Sequence, residues 1–350
     1  MGVGNSKPES VGGDMMRKNR GLYRSVYSDE NLTEAWYQVR TRGTETSGAD
    51  GITLTQFQRY LFRELRVLQR ELAKGQYKPL PIKITTLKKT DGSYRPIGIL
   101  AVRDRVAQRA VLNVIEPVFE AEFEPTSFGF RPGRSREMAM DYVAMLVNRG
   151  LTWTVHFDIE RCFESIDLNR LRKAVAAKIR DKALRRILEA WLSPTAIYSS
   201  RRKSPFQTVP VEGLVQGSPL SPLLANVYLD QFDKSCRRKA IQIVRFADDV
   251  LLLAHTQREA KEHFAIALKI LRRLKLRVNS SKTRFAHVEE GLEFLGGTLV
   301  FDEETGTWMS HFPEKEEAVE STETPVGRVR ELVFSAEEFE GSNDGDVVRG

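Results

Sequence analysis

Apolar residues along the chain follow two repeating patterns. In several stretches they recur every three or four positions, which predicts helices, and in others they alternate with polar residues, which predicts strands. The helical pattern that begins at Leu54 is closed by Gly75, and the pattern that begins at Arg103 is expected to stop near Pro117. The predicted helices cover roughly residues 54–72, 103–119, 168–192 and 258–276.

Extended structure is predicted where apolar and polar residues alternate, or where short apolar runs are bounded by turn residues. Two segments are typical of hairpins, one with Asp91-Gly92 at its turn and one with Asp248-Asp249 at its tip. The extended segments are "YKPLPIKITTLKK", "TDGSYRPIGIL", "LTWTVHFDIE", "QIVRFADDVLLLA", "LRVNSSKTRF" and "EFLGGTLV". Helices beside an antiparallel sheet make a mixed α+β fold.

The composition is that of a protein with a substantial core. Of 350 residues, 41% are hydrophobic and 29% are charged. The sequence has no apolar run of membrane-spanning length and no signal-peptide pattern, so we expect no membrane partner and a cytoplasmic location. Cys162 and Cys236 match no zinc spacing, and the five histidines form no metal-type cluster.

The net charge of +7 conceals an uneven distribution. Residues 301–350 hold 14 acidic and 4 basic residues, so residues 1–300 carry a net charge of +17. A body this basic favours a polyanionic partner, most simply nucleic acid. The acidic segment 301–350 is predicted to be a disordered tail, and the Gly- and Ser-rich segment 1–30 a flexible arm.

Three acidic residues interrupt the apolar strand patterns. Adjacent carboxylates at the tip of a hairpin, Asp248 and Asp249, repel each other, although Asp is also an ordinary turn residue. Asp158 stands at the predicted end of another strand, where a turn or cap role is equally open. If the strands are neighbours, the three acids converge and need cations. Oxygen ligands suit Mg²⁺, and two ions about 3.5–4 Å apart would support nucleotidyl transfer.

The order of the motifs resembles that of reverse transcriptases, closest to the group II intron-type branch of prokaryotes. The resemblance covers about 31–297, and a single "ADD" alone would be weak evidence for it. It implies polymerase fingers over 31–140 and a palm over 141–300, with an RNA template, a DNA or RNA primer and dNTPs as partners. The segments that carry it are "NLTEAWYQVRTRGTETSGADGITLTQF", "LAKGQYKPLPIKITTLKKTDGSYRPIGILAVRDRVAQRAV", "SFGFRPGRS", "FDIERCFESID", "GLVQGSPLSPLLANVYLDQFD", "RFADDVLLLA", "LRVNSSKTRF" and "EFLGG".

The resemblance assigns the metal-binding role to the same three acids that the strand patterns single out. It implies that Asp158, Asp248 and Asp249 hold two Mg²⁺ ions, with Mn²⁺ as an alternative, and that the Ile159 carbonyl is a further ligand. It also places Lys282 where the family has a lysine proposed to protonate the leaving pyrophosphate. One surface lysine among many is an equally open interpretation of that residue.

Substrate-binding roles follow from the same resemblance. Phe163 is expected to crowd the sugar 2′ position and exclude ribonucleotides, with an ordinary core position as the alternative. Lys89 and Arg95 flank a hairpin turn that would close over the triphosphate, although a solvated charged hairpin is also common, and Lys88 competes for the lysine role. Gln216 is expected near the dNTP, and Gly217 would let the backbone approach the template-primer.

Two further segments are expected to touch nucleic acid. Arg131 and Arg134 in "GFRPGRS" would contact the phosphate backbone. Phe294, Leu295 and Gly296 resemble the turn that steadies the primer end.

Three departures from the family pattern qualify these expectations. Phe246 replaces the more usual Tyr, and Glu160-Arg161 replaces a Lys-Gly pair. After 297 the sequence becomes acidic, where intron-encoded relatives continue into a thumb with maturase function and sometimes an endonuclease. We therefore expect neither splicing assistance nor target cleavage, and we expect a protein partner to supply a thumb or integration function.

The sequence is compatible with three functions. The first is an RNA-directed DNA polymerase in prokaryotic antiviral defence, such as CRISPR RNA-spacer acquisition. The second is a truncated group II intron-encoded reverse transcriptase, and the third is a non-catalytic RNA-binding scaffold on a polymerase palm. The intact acids and Gln216 argue against the scaffold.

Overall fold

The computed structural model describes residues 21–88, 92, 94–198, 208–210 and 212–313. Within this part of the chain, the residues up to Phe312 belong to one compact unit. Its helices are α1 (Leu22–Val26), α2 (Asp29–Arg42), α3 (Leu54–Arg59), α4 (Leu61–Ala73), α5 (Val102–Glu120), α6 (Arg136–Asn148), α7 (Cys162–Ser165), α8 (Leu168–Lys178), α9 (Lys182–Leu192), α10 (Ser221–Arg237) and α11 (Gln257–Arg273). Its strands are β1 (Ile82–Lys88), β2 (Tyr94–Ile99), β3 (Trp153–Asp158), β4 (Thr195–Tyr198), β5 (Thr208–Pro210), β6 (Gln242–Phe246), β7 (Asp249–Ala254), β8 (Arg284–His287), β9 (Glu293–Phe294), β10 (Gly297–Asp302) and β11 (Thr307–His311).

The strands form three sheets. The central one has the order β6-β7-β3-β8, and all of its neighbouring strands are antiparallel. A second sheet, of order β2-β1-β4-β5, contains the fingers-like hairpin β1-β2, and a third has the order β11-β10-β9. Helices pack beside these sheets, so the predicted α+β class with an antiparallel palm sheet is confirmed.

The central sheet is buried on both faces, which explains the continuous apolar run of β7. Val250, Leu252 and Ala254 join a core shared with α5, α8, α10 and α11, while Leu251 and Leu253 join a second core beneath α6. Burial on both faces fixes the register, because a slip by one residue would exchange the two cores. The strand ends that carry the acids are therefore held firmly.

Three predicted helices differ from those observed. The predicted helix 54–72 is divided at Tyr60 into α3 and α4, and 168–192 is divided into α8 and α9. Asp181 causes the second break, because its carboxylate accepts the backbone N–H groups of Ala183 and Leu184 and so caps a new helix. Helix α5 continues through Pro117, where burial of Phe119 outweighs the missing N–H.

The predicted boundaries of the two terminal segments are wrong at their inner ends. Helix α1 lies within the predicted arm 1–30, and Val26 on it is fully buried. Strands β10 and β11 pair across residues that were predicted to belong to the tail. The rest of both segments, 1–20 and 314–350, lies outside the described residues. The division into fingers and palm at residue 140 stays a prediction.

None of the helices in the described ranges combines the length and apolarity needed to cross a membrane.

Candidate active site

Two adjacent strands bring the predicted metal-binding acids together. Asp158, the last residue of β3, lies directly opposite Asp249, the first residue of β7. Opposed residues of an antiparallel pair have Cβ atoms about 4.5–5.5 Å apart, so both carboxylates can reach one ion. Asp248 lies in the turn after Ala247, whose φ of 59° is left-handed. The backbone carbonyl of Asp248 accepts the N–H of Ile159 at 3.0 Å, which ties this turn to the end of β3.

These acids open into a cavity of ≈ 720 Å³. Predicted metal, substrate and proton-donor residues line the same cavity, so the fold brings together positions that are up to 124 residues apart in the sequence. The predicted residues in its wall are Asp158, Ile159, Phe163, Gln216, Asp248, Asp249 and Lys282.

Basic side chains engage two of the three acids. The Nζ atom of Lys282 donates to Oδ2 of Asp158 at 3.1 Å, and Nε2 of His156 lies 2.6 Å from Oδ1 of Asp249. His156 was not predicted as a site residue, because the five histidines are scattered along the sequence and form no cluster. The strand alternation could have revealed it, since a residue two positions before Asp158 points to the same face of β3.

The carboxylates and the Ile159 carbonyl form an oxygen donor set, which fits a hard divalent cation. In their present arrangement, no three His, Cys, Asp or Glu side chains of the described residues are placed to hold a metal ion. Hydrogen bonds from Lys282 and His156 use one oxygen each of Asp158 and Asp249. The donor chemistry fits a metal, and each of these two carboxylates has a second oxygen that the two hydrogen bonds do not use.

Cys162 lines the same cavity but lacks the chemistry of a nucleophile. Burial, followed by the nearby charge of Asp248, raises the pKa of its thiol to about 12. A thiol with this pKa remains protonated at neutral pH. Both Cys162 and Cys236 are free and buried, so they serve as core residues.

Phe163 lies at the border between cavity and core. Its side chain is buried, and its ring is edge-on to that of Phe130, with centroids 6.5 Å apart. This position is compatible both with the predicted sugar-selecting role and with the core alternative, so the role stays a prediction.

The loop before α10 meets strand β2 through backbone contacts. The Gln216 carbonyl accepts the N–H of Gly98 at 2.8 Å, and the Gln216 side-chain amide donates to Glu164 at 2.8 Å. Gly217 has a φ of 98°, and a Cβ on it would lie 2.5 Å from the Gly98 carbonyl oxygen. The close approach that demands glycine is therefore to β2, while the predicted approach to the template-primer stays untested.

Only part of the predicted triphosphate site on the β1-β2 hairpin lies within the described residues. Arg95 lies on β2 opposite Leu87, and its side chain is outside the described part of the structure, as is Lys89. The competing Lys88 is the exposed last residue of β1.

Arg131 has a structural position that does not fit the predicted phosphate contact. Its side chain is buried, and Nε and Nη2 donate to the carboxylate of Glu120. Its Nη1 donates to the carbonyls of Glu124 and Ser127, both at 2.7 Å. The guanidinium thus braces the loop after α5, and each of its three nitrogens donates to a group within the protein.

Arg134 remains a candidate for nucleic-acid contact. It is partly exposed, with Nη1 donating to the Pro125 carbonyl at 2.7 Å and the guanidinium carbon 5.1 Å from the centre of the Phe128 ring. These contacts hold the stem of the side chain and leave donors at the other guanidinium nitrogens.

The predicted primer-end turn is a tight hairpin between β9 and β10. Leu295 and Gly296 both have left-handed φ values, 56° and 77°, and form its two-residue turn. Phe294, however, is only 1% exposed and lies edge-on to His156 at 5.3 Å. Phe294 is therefore a core residue, and the prediction that it touches nucleic acid does not fit its burial.

A buried ion pair supports the turn that carries Asp248. Arg245 on β6 and Asp233 on α10 are almost completely inaccessible and are joined by three hydrogen bonds of 2.6–3.1 Å. Burial alone would lower the pKa of Arg245, but Asp233 raises it on balance. The same guanidinium donates to the Ala247 carbonyl at 2.9 Å, so the pair also fixes the turn that carries Asp248.

Comparison with known proteins agrees with this geometry. The sequence model of the family "Reverse transcriptase (RNA-dependent DNA polymerase)" matches residues 87–299. Protein YkfC of Escherichia coli (strain K12) is 32% identical over 319 residues, which cover 80% of this chain and 82% of that protein. The group II intron-encoded protein LtrA of Lactococcus lactis subsp. cremoris is 30% identical over 213 residues, 61% of this chain and 32% of LtrA.

A solved structure supports the fold alone. Telomerase from Candida tropicalis, in complex with a TWJ fragment of telomeric RNA, superposes with a TM-score of 0.52 over 82% of this chain and 53% of that chain. The sequence identity is 14%. The family match and the identity to YkfC are what place the chain: it belongs to the reverse transcriptase family of RNA-dependent DNA polymerases, in the branch similar to group II intron-encoded proteins.

Proposed function

We propose that the protein is a reverse transcriptase that adds dNTPs to a primer 3′-hydroxyl by two-metal-ion nucleotidyl transfer. One observation carries this proposal. Asp158 and Asp249 oppose each other at adjacent strand ends, with Asp248 in the connecting turn of the same cavity. An inert scaffold would have no need to place three acids at one point.

Reverse transcriptases generally use divalent metal ions. We infer that the ions here are two Mg²⁺, with Mn²⁺ as an alternative, held by Asp158, Asp248 and Asp249 and by the Ile159 carbonyl. Bound there, they would activate the primer 3′-hydroxyl and stabilise the charge on the leaving pyrophosphate.

Lys282 is proposed to protonate the leaving pyrophosphate. Its Nζ atom already lies at the mouth of the cavity, 3.1 Å from Oδ2 of Asp158. A metal bound to Asp158 would compete with this contact and release the ammonium toward the phosphates. Gln216, held by Glu164, would border the dNTP, and Lys89 and Arg95 would grip its triphosphate.

The nucleic-acid partners are an RNA template and a DNA or RNA primer. Arg134 and the turn at Leu295-Gly296 are the proposed backbone contacts, because both are accessible at the surface beside the central sheet. Contacts of this kind give affinity without sequence selection.

Primer extension on poly(rA)–oligo(dT) tests the catalytic proposal. The Asp248→Ala variant is expected to lose several kcal/mol of transition-state stabilisation, which is roughly a thousandfold in rate. Glu262→Gln on the exposed face of α11 removes one carboxylate elsewhere and is the matched control. Equal signals from the wild type and Asp248→Ala would reveal a contaminant or no activity, and would end the proposal.

The sugar-selecting role of Phe163 has its own test. Phe163→Ala should raise the incorporation of ribonucleotides relative to dNTPs by about tenfold or more, because a small side chain no longer excludes the 2′-hydroxyl. The ratio of the two kcat/KM values measures this on the same template-primer. Unchanged selectivity with normal extension would assign Phe163 to the core alone.

For the cellular role we propose prokaryotic antiviral defence, with CRISPR RNA-spacer acquisition as the example. A truncated group II intron-encoded enzyme is the second candidate, and the match to LtrA favours it. That match spans only 32% of LtrA, so the function of the whole intron protein is not transferred. Defence or CRISPR genes beside this gene would support the first role, and intron RNA sequences around it would support the second.

A further inference from the structure

A second groove lies between helices α8, α10 and α11 and the end of α5. It consists of two adjoining cavities of ≈ 610 and ≈ 490 Å³, which share Gln231 and Lys234 in their walls. Neither cavity has a lining residue in common with the catalytic cavity. We call it the helical groove.

Unpaired positive charge is concentrated along the helical groove. Within the described residues, five cations of its wall form no ion pair with an acid, and all five are exposed. They are Arg170, Lys173, Arg238, Lys239 and Arg273. Among the described residues, the acids of the wall are Glu122 and Asp230, which are already engaged by Lys178 and Lys234, respectively. The groove therefore has an excess of positive charge that nothing in the described protein neutralises.

The floor of the helical groove is apolar. Phe119, Phe123, Ala174 and Val227 form its base in the larger cavity, and Ile270 contributes in the smaller one. A merely solvated charged surface has no need of an apolar floor. Apolar and aromatic floors with cationic rims are typical of sites for single-stranded nucleic acid, where bases pack on the floor and phosphates contact the rim.

The spacing of the cations suits an extended polyanion. Arg170 and Lys173 are three residues apart on α8, so their Cβ atoms are about 5–6 Å apart on one face. Arg238 and Lys239 follow the end of α10, and Arg273 ends α11. Three separate elements therefore present cations to the same groove, and one strand passing along it could contact them in turn.

We propose that the helical groove binds the phosphodiester backbone of a single nucleic-acid strand at a site separate from the catalytic cavity. The strand could be RNA or DNA, since backbone contacts do not read the base sequence. Such a site would keep a template or a structural RNA on the protein between rounds of synthesis. The inference concerns binding and does not depend on the catalytic proposal.

The test is the salt dependence of binding by the full chain. Lys173, Lys239 and Arg273 are replaced together by Gln, and fluorescence anisotropy gives the Kd for a 30-nucleotide RNA and for a DNA of the same sequence. Loss of three phosphate contacts should lower the slope of log K against log salt by about 2 and weaken binding by about tenfold or more. The two oligonucleotides show whether the natural ligand is RNA, DNA or either.

A matched control removes the same charge from other surfaces. Three exposed cations lie outside the helical groove and the catalytic cavity: Arg149, Arg258 and Lys261. Their triple replacement by Gln should leave the salt slope unchanged. Primer extension on a short hairpin template-primer should be equal in the two triple variants. A thermal unfolding scan tests whether each triple variant is folded. If one is not, the corresponding single Gln variants are used in its place, and each single groove variant should lower the salt slope by about 0.7.

Two results would overturn the proposal. One is a salt slope that falls equally in the groove and control variants, which would make the groove an ordinary solvated surface. The other is equal binding of poly-L-glutamate, weakened equally by the groove substitutions, which would identify a site for acidic polypeptides.

Discussion

Arg245 is the residue whose loss should most clearly separate stability from catalysis. It is fully buried, and every one of its donor nitrogens is used. Nε and Nη2 bind Asp233, Nη1 binds Asn226 and the Ala247 carbonyl, and Nη2 also binds Ser127. Replacement by Met keeps much of the volume and removes all of these bonds.

The expected cost follows from what is left behind. In Arg245→Met the carboxylate of Asp233, which is 1% exposed, stays in the interior without its cation. Breaking a buried ion pair in this way costs about 3–5 kcal/mol, against a total stability of about 5–15 kcal/mol for a typical protein. A loss of about 3 kcal/mol raises the unfolding equilibrium constant by roughly 150-fold. Adding Asp233→Leu removes the stranded charge and should recover most of the loss.

Urea unfolding followed by tryptophan fluorescence measures this cycle, with primer extension as the second readout. The double variant should regain stability but remain slow, because it still lacks the hydrogen bond to Ala247 that holds the turn before Asp248. A single variant that loses less than about 1 kcal/mol would refute the stranded-charge argument, whose expected cost is several-fold larger. So would a double variant no more stable than the single one.

Three other residues give independent predictions. Gly217→Ala should cost more stability and activity than Gly133→Ala. Both glycines have φ above 60°, but only at Gly217 would the added Cβ lie 2.5 Å from a backbone atom. The urea midpoints of the two variants test the difference in stability. Burial raises the pKa of Asp104 to about 6, so the folded protein holds its proton more tightly than the unfolded chain. The free energy of unfolding should then fall by up to about 3 kcal/mol as pH rises from about 4 to 6, and urea titrations of Asp104→Asn should lack this fall. His156→Phe should keep the core packing and slow primer extension by about 10–100-fold, with a higher Mg²⁺ requirement and an unchanged melting temperature. An unchanged Mg²⁺ requirement would contradict a role in placing the neighbouring carboxylate.

The strands and the acids were predictable because their signals are local. Alternation marks β3, a double apolar run marks β6 and β7, and an acid that interrupts such a pattern is visible in the sequence. Antiparallel pairing then places Asp158 opposite Asp249, as the structure shows. The family resemblance supplied Lys282, whose proximity to Asp158 no local pattern indicates.

Residues whose role depends on a distant partner were not predictable. Arg131 in "GFRPGRS" has the pattern of an exposed basic loop, and only the fold shows that Glu120 and two carbonyls enclose it. Phe294 precedes a turn and is nevertheless core, because His156 and α6 cover it. Buried charge is rare, so sequence reasoning assigns a lone arginine to the surface unless its partner is known.

The site depends on backbone contacts more than on side-chain packing, which explains how Lys282 reaches it. Two hydrogen bonds meet at the end of β3: the Asp158 carbonyl accepts the N–H of Asn279, and the Glu160 N–H donates to the Arg277 carbonyl, so that Ile159 pairs with Val278 as an isolated β-bridge. These bonds use no side-chain atoms, so the segment after α11 can vary in sequence and still deliver the lysine. They also mean that moving this segment would move Asp158 itself. The lysine and the first acid are therefore positioned as one unit, with the hairpin of the other two acids joined to it through Ile159.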